Sequence, residues 1–378
     1  METSFGNAGV LSSSTVLNAN NPSVYASLPG ILLNRSPAVS YRFLHAVGQL
    51  SWVISFLKFS GRRHTARIAE SLQNLQTLSI ERHRQLVAEA GVGSIFMEKG
   101  WLKVYRDEAA YRTSRLEREL MDRLEVEYSL LTPDDLAEAE PALRPEYFAG
   151  LLMSGTCSVS DPLGLTRAYL KLFSDAGGDF HRFEVDAIEA QDDGWRVSGS
   201  RSGAVGADHV VVACGPWSVD VCRLVGNRVP MCWERGYHVN LRSSDVRLRR
   251  PVCDVQRGFV MAPQGDTTRV TSGVEFAHRD AAPDFDQIRR VAREAREAAG
   301  LGRTVGDVPW LGSRPTLPDG LPMIGPAGRN PGLWFNFGHQ HIGLGTSTGS
   351  AILLADLISG QTTTEVDCRP YCPARFGA

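Results

Sequence analysis

The stretch Leu333-Trp-Phe-Asn-Phe-Gly338-His-Gln-His341-Ile-Gly343-Leu-Gly345-Thr-Ser-Thr-Gly349 decides the fold. Apolar residues crowd Leu333 to Phe337 and stop at Gly338, which predicts a buried strand entering a tight turn. Ile352, Leu353, Ala355 and Leu357 then give a helix its apolar side, and Gly360 stops it. A strand that feeds a glycine turn into a helix N-terminus aims bare N–H groups and a positive dipole end at one point. That point suits an anion or an electron-rich ring. Gly343, Gly345 and Gly349 also invite reading as a dinucleotide fingerprint, but that needs a second strand with an acidic end about 20 residues on. Here Gln361 to Ala378 is polar and contains proline, so the helix reads as the last of its domain. An ordinary strand–turn–helix without a ligand is the competing reading.

Working outward, Val210-Val-Val-Ala213-Cys-Gly215-Pro216-Trp217 predicts a second buried parallel strand ending at a glycine. Upstream lie a strand over Asp179 to Val185, a strand over Ala187 to Ala190, and a hairpin at Gly194 to Val197 and Ala204-Val205. Asp161-Pro162 opens a helix faced by Leu165, Tyr169, Leu170 and Phe173, and Gly177-Gly178 end it. Short alternating runs at 236–241, 258–262 and 268–273 predict an antiparallel sheet, followed by a charged helix from Asp286 to Gly300. Towards the start, 1–30 reads as loop and 40–60 as helix. Ile68, Leu72, Leu75, Leu78 and Leu86 predict a long amphipathic helix from Arg63 to Ala90. Trp101 to Tyr105 alternates like a strand, Asp107 to Leu130 reads as a charged helix, and Thr132 as the cap of another.

A chain of 378 residues accommodates two domains. Its net charge of −2 favours neither nucleic acid nor an anionic membrane as a bulk partner. The seven cysteines are scattered, and only Cys368 and Cys372 lie close together. No zinc or other metal site and no disulfide framework is expected, which points to a reduced, cytoplasmic compartment. No run reaches about 18 continuous apolar residues. The nearest, Phe43 to Phe59, contains His45, Gln49 and Lys58. It reads as a half-buried helix or one seated on a surface, so peripheral contact with the inner face of a membrane stays open. The opening residues do not read as a signal peptide.

Three separated motifs agree in order and spacing: Ala213-Cys-Gly215-Pro216-Trp217-Ser218, Ser313-Arg314-Pro315 through Gly325-Pro326, and the Gly338–Gly343 turn with its helix. Together they resemble the D-amino acid oxidase/dehydrogenase family of FAD-dependent flavoproteins, nearest to its D-amino acid dehydrogenase branch. Thr3-Ser4-Phe-Gly6-Asn7-Ala8-Gly9 resembles the loop that follows that family's dinucleotide-binding unit. The resemblance implies an α/β fold. A Rossmann-like FAD-binding domain (about 1–20, 151–225 and 306–378) is interleaved with an antiparallel-sheet α+β substrate domain (about 21–150 and 226–305). It also implies a strand–Gly-x-Gly-x-x-Gly–helix–strand unit of about 35 residues ahead of the Thr3–Gly9 loop. The sequence is therefore expected to be an N-terminally truncated version. Losing about five buried aliphatic side chains would remove ~8–15 kcal/mol, as much as a domain's net stability of ~5–15 kcal/mol. Poor folding and weak FAD binding are the consequence expected.

By the same resemblance, His339, Gln340, Ile342, Gly343, Leu344 and Gly345 carry the flavin ring's pyrimidine edge. Thr3, Ser4, Ala8, Gly9 and Val10 run along the pyrophosphate and ring. Gly215 allows close backbone approach, and the main chain of Val185 meets the adenine. Arg314 matches the arginine that binds the substrate carboxylate, and a planar guanidinium suits that task. His341 takes another substrate-facing position, where glycine oxidase has an arginine. Tyr237 and His238 are placed on the sheet that roofs the ring, and could equally be core residues of that sheet. No catalytic Ser/His/Asp set is seen or needed, because the flavin supplies the chemistry. The implied function is oxidation of a D-amino acid, with electrons passing to an acceptor such as a quinone or carrier. The alternatives are oxidation of a secondary amine acid such as sarcosine or a proline derivative, and a flavin-less non-catalytic remnant.

Overall fold

The Leu333–Phe337 strand is the middle of a three-stranded sheet, parallel to Val210–Val212 and antiparallel to Met323–Pro326. This is seen in a computed structural model that describes residues 2–182, 184–199, 203–243 and 245–377. Leu333, Phe335 and Phe337 are buried on one face, as period-two alternation requires. They pack on Trp195, Val212, Leu317 and Met323. Gly338 turns the chain at φ +85°. The helix that follows, Gly343–Ser359, ends at Gly360 in the left-handed conformation. Val210–Val212 lies at the sheet's edge.

The Gly343–Ser359 helix crosses the 28-residue Arg62–Glu89 helix, whose Ile68, Leu72 and Leu75 face inward. Close approach centres on Gly349, where an added Cβ would lie 2.9 Å from the Leu75 carbonyl oxygen and 2.4 Å from Ser79 Oγ. Thr348 Oγ1 donates to the Ser79 carbonyl and Gly349 N–H donates to Ser79 Oγ. Higher up, His83 Nε2 donates to the Leu344 carbonyl (3.1 Å). That leaves Nδ1 to accept from the Tyr169 hydroxyl (2.7 Å).

A ten-stranded mixed sheet forms the second half. Its spine is Cys232–Arg242, flanked by Thr267–Thr271, Val274–Phe276 and the 13-residue Thr304–Thr316 strand. Beyond Thr267–Thr271 come Phe259–Gln264, Val252–Asp254, Trp101–Tyr105 and Ala149–Met153. One face carries Tyr237, Val239, Leu241, Met261 and Val270 against Ile288, Val291 and Ala295 of the Asp286–Ala299 helix. Alternation sends Glu234, Gly236 and His238 to the other face, beside Thr271 and beside Trp310, Gly312 and Arg314. This second face covers a cavity.

Three expected elements differ. The 1–30 stretch is not all loop. Val10–Leu11 pairs with Cys157–Val159, and Ser23–Leu32 is helical, started by Asn21 Oδ1 accepting from both N–H and Oγ of Ser23. Asp107–Leu130 is two short helices, Glu108–Thr113 and Arg115–Arg123. It breaks where Glu125 turns at φ +55°, then continues as the Ser129–Leu131 edge strand. Asp179–Val185 finds no ladder partner among its described residues and stays irregular, with Phe180 exposed; Phe183 lies outside the described residues. Among the described residues no helix is long and apolar enough to cross a membrane.

Candidate functional site

A cavity of about 580 Å³ opens between the two halves. The wide sheet contributes Glu234, Gly236, Trp310, Gly312 and Arg314, and the opposite wall is Phe337–Leu344 with Gly215 and the Thr3–Val10 loop.

The turn at Gly338 is pinned before it reaches the helix. Gln340, a left-handed residue at φ +52°, donates its N–H to the Pro315 carbonyl (2.9 Å) and its Nε2 to the Gly320 carbonyl (2.6 Å). Ile342 then precedes the helix with no side-chain cap. The first-turn N–H groups of Gly343, Leu344 and Gly345 therefore have no intrahelical partner, and the positive end of the dipole meets the cavity.

Across the void stands Arg314, directly opposite Glu234 in the antiparallel register. Its guanidinium lies over the backbone of Gly236, where a Cβ would come within 2.2 Å of Nη2. Nη1 donates to the Gly273 carbonyl (3.2 Å). Burial lowers the Arg314 pKa, and Glu234 opposes that shift. Burial pushes the Glu234 carboxyl up, and Arg314, then Thr316, oppose it. The cavity thus holds one cation and one carboxylate on adjacent strands, both poorly solvated.

His341 exposes its side chain to the void, with protein enclosing it on the other sides. Burial, then the charges of Arg314 and Lys103, bring its pKa down to about 4. It is neutral at neutral pH. Burial also brings His339 down to about 4, and its Nε2 shares a 2.9 Å hydrogen bond with Ser350 Oγ.

The N-terminal loop is tied at several points. Thr3 Oγ1 donates to the Ser313 carbonyl (2.9 Å), and Asn7 Nδ2 to that of His341 (3.3 Å). Arg269 Nη1 donates to the carbonyls of Phe5 and Asn7, both at 2.8 Å. Gly6 lies under the Trp310 ring, where an added Cβ would be 1.9 Å from it. Trp310 in turn stacks on His238 with centroids 4.9 Å apart.

Of the residues named from sequence, Thr3, Ser4, Ala8, Val10, Gly215, Tyr237, Arg314 and all of His339–Leu344 border the cavity. Gly9 and Gly345 do not; Gly9 backs onto the Val159 carbonyl and Gly345 onto Leu11. Val185 packs with the Ile188–Trp195 cluster instead. Tyr237 borders the void, but its phenol points to the opposite sheet face. There its hydroxyl donates to Glu275 Oε2 (2.5 Å) and accepts from Asp284 N–H (3.0 Å). Glu234, Trp310, Trp101 and Asn336 also line the wall and were not anticipated. Residues 310, 312 and 314 share a face by simple alternation, as do 234 and 236, so that signal was present. Asn336 Oδ1 is buried with no hydrogen-bond partner. Among the described residues no cluster of His, Cys, Asp or Glu is placed to hold a metal ion.

A family model described as FAD dependent oxidoreductase (DAO) matches residues 1–357. A D-amino-acid oxidase of Bradyrhizobium diazoefficiens is 28% identical over 388 residues, covering 99% of this chain and 89% of that protein. A D-amino acid dehydrogenase 2 of Ralstonia nicotianae is 30% identical over 394 residues, covering 99% and 91%. The solved structure of glycine oxidase from Geobacillus kaustophilus superposes with a TM-score of 0.73 at 19% identity, covering 98% of this chain and 88% of that one.

Proposed function

The chain belongs to the DAO family of FAD-dependent oxidoreductases, and from that premise we propose that it oxidises the Cα–N bond of a D-amino acid, giving a 2-oxo acid and ammonia. The observation that carries this reading is the placement of Arg314 across one cavity from the uncapped start of the Gly343–Ser359 helix.

The residues present fit FAD. A buried helix start without a cap asks for an electron-rich partner. Gly215, at φ +52°, has open space where a Cβ would stand, and Asn336 Oδ1 lacks a donor. We assign the ring's pyrimidine edge to His339, Gln340, Ile342, Gly343 and Leu344, and the chain of the cofactor to Thr3, Ser4, Ala8 and Val10, with Gly9 and Gly345 behind them against the Val159 carbonyl and Leu11. The cofactor half then comprises about 1–20, 151–225 and 306–378, and the substrate half about 21–150 and 226–305. FAD, when bound, takes up the hydride that leaves the substrate α-carbon.

Arg314 holds the substrate carboxylate through the N–H groups that Gly273 does not engage. Glu234 places a negative charge on the neighbouring strand, so the site carries the two charges that a zwitterionic amino acid presents in reverse. His341 is neutral and adds no competing charge. Trp101 and Trp310 exclude water from the sheet side. The α-amine must be neutral to release hydride, so the rate rises with pH through the amine's pKa in the complex.

The D configuration follows the relatives, named D-amino acid oxidase and dehydrogenase. The dehydrogenase names favour a quinone or protein carrier as electron acceptor. The test is anaerobic mixing of flavin-loaded protein with matched D- and L-amino acids, glycine, sarcosine and proline. Loss of visible flavin absorbance with D-amino acids is expected. Bleaching by L-enantiomers or secondary amines alone, or by none of the panel, overturns the assignment.

A further inference from the structure

The Ser23–Leu32, Phe43–Gly48 and Leu50–Phe59 helices carry an apolar surface that no other element covers among the described residues. Phe43, Val47, Leu50 and Ile54 recur at helical spacing along one side and are 45–68% exposed, and Leu44 beside them is 84% exposed. The orientation is fixed from within. Trp52 on the opposite side is buried, donates to the Thr316 carbonyl (3.3 Å) and stacks on Phe276 (5.4 Å). Leu32 and Leu33, both over 60% exposed, join the patch because Tyr41 OH donates to the Leu32 carbonyl (2.9 Å).

The charge along this segment of the chain is one-sided. Residues 3–69 contain six Arg or Lys and no Asp or Glu, in a chain whose 42 acidic residues outnumber its 40 basic ones. Lys58 lies one helical turn beyond Ile54 on the same stripe. Arg35 follows Leu33, and Arg62 and Arg63 open the next helix. All four are exposed, and among the described residues none has an ion-pair partner. The near-zero net charge of the whole chain hides this segregation.

We propose that this face seats the protein on an anionic lipid bilayer. The apolar stripe enters the headgroup boundary and Arg35, Lys58, Arg62 and Arg63 meet lipid phosphates. Amphipathic helices with basic flanks bind in this way, each cation adding about a five-fold gain in affinity. A second copy of this chain fits less well, since a two-fold contact would press the same unpaired cations against each other. With no membrane-crossing helix among the described residues, the protein lies on the surface.

The test is co-sedimentation of the full chain with phosphatidylcholine vesicles, with and without phosphatidylglycerol. The wild type should pellet with the anionic vesicles about 10-fold more strongly than with neutral ones, and added salt should weaken this. Leu44→Glu/Leu50→Glu should reduce pelleting by about 10-fold or more while far-ultraviolet circular dichroism and melting stay unchanged. Lys58→Glu/Arg62→Glu should remove the preference for anionic vesicles. A wild type that stays in the supernatant, or a double glutamate variant that binds as wild type, overturns the proposal. So does a dimer in velocity sedimentation that Leu44→Glu/Leu50→Glu dissociates, which gives the face to a second copy. No turnover is measured, so failure here leaves the proposed reaction standing.

Discussion

Replacing Arg314 by Ala isolates the contact on which substrate binding is argued to rest. Its guanidinium is partly buried, and among the described residues only Nη1 has a hydrogen-bond partner, the Gly273 carbonyl at 3.2 Å. The fold has therefore already met the cost of desolvating this cation, and its remaining N–H groups are unspent until a carboxylate arrives. Removing one partner of such a pair costs about 3–5 kcal/mol, which is about two to three and a half decades in kcat/KM. The loss should fall mainly on KM, because the carboxylate is held in both ground and transition states. Arg314→Lys should recover part of it, since the charge returns without the fork. The assay is steady-state oxidation with an artificial acceptor, alongside flavin content per chain and the anaerobic reduction rate. Flavin content should not change, because Arg314 lies across the cavity from the helix start assigned to the ring. A flavin-loaded Arg314→Ala enzyme with kcat/KM within about five-fold of wild type would refute the reasoning.

Gly236→Ala should act on the same contact without touching Arg314. Its new Cβ would sit 2.2 Å from Nη2 and push the guanidinium aside, so KM should rise about 10-fold while the melting temperature holds. Gly349→Val should separate the two crossing helices, because the glycine faces the Leu75 carbonyl; about 1–3 kcal/mol of stability and several degrees of melting temperature should be lost. Glu275→Gln should destabilise by about 3–5 kcal/mol by chemical denaturation, since this buried carboxylate serves Arg42, Arg235 and Tyr237. Stability should also fall on acidification. Burial holds His83 near 4 and His238 near 3, so between those values and the ordinary 6.5 the unfolded chain binds more protons than the folded one. Each then costs about 2 kcal/mol at about pH 5, and denaturation midpoints that stay level from pH 7 to 5 would contradict this.

The strand–turn–helix at Leu333–Ser359 and the long Arg62–Glu89 helix were legible in the sequence because their signals are local: unbroken periodicity, then a glycine. The place of Arg314 on the cavity wall was legible through its motif. Glu234 was not, because its role depends on which strand lies beside Cys232–Arg242. That pairing joins residues about 80 apart and shifts register at a bulge between His238 and Asn240. The Ser23–Leu32 helix was missed because Ser and Asn normally signal loop; here Asn21 uses its side chain to start the helix. The orientation of Tyr237 was left open for a related reason. Alternation alone gives two faces, and only the packed Asp286–Ala299 helix decides which is core.

That choice of face also separates charge engaged within the core from charge left facing the cavity. Arg235 and Glu234 are neighbours in one strand, and each has an opposite charge within reach. Arg235 is fully buried on the core side, where Glu275, Tyr237 and the Ala282 carbonyl surround it. Its partners are all protein groups, so its charge is consumed in holding strands together. On the cavity side Glu234 is buried and Arg314 only partly so, no such enclosing set surrounds them among the described residues, and Gly236 supplies no side chain to fill the gap. A buried charge left with free hydrogen-bonding capacity is costly to the fold alone. The cost is offset when a ligand brings the complementary groups. A period of two residues thus divides one strand into a face that holds the protein together and a face that borders the cavity, where the proposed function places the substrate.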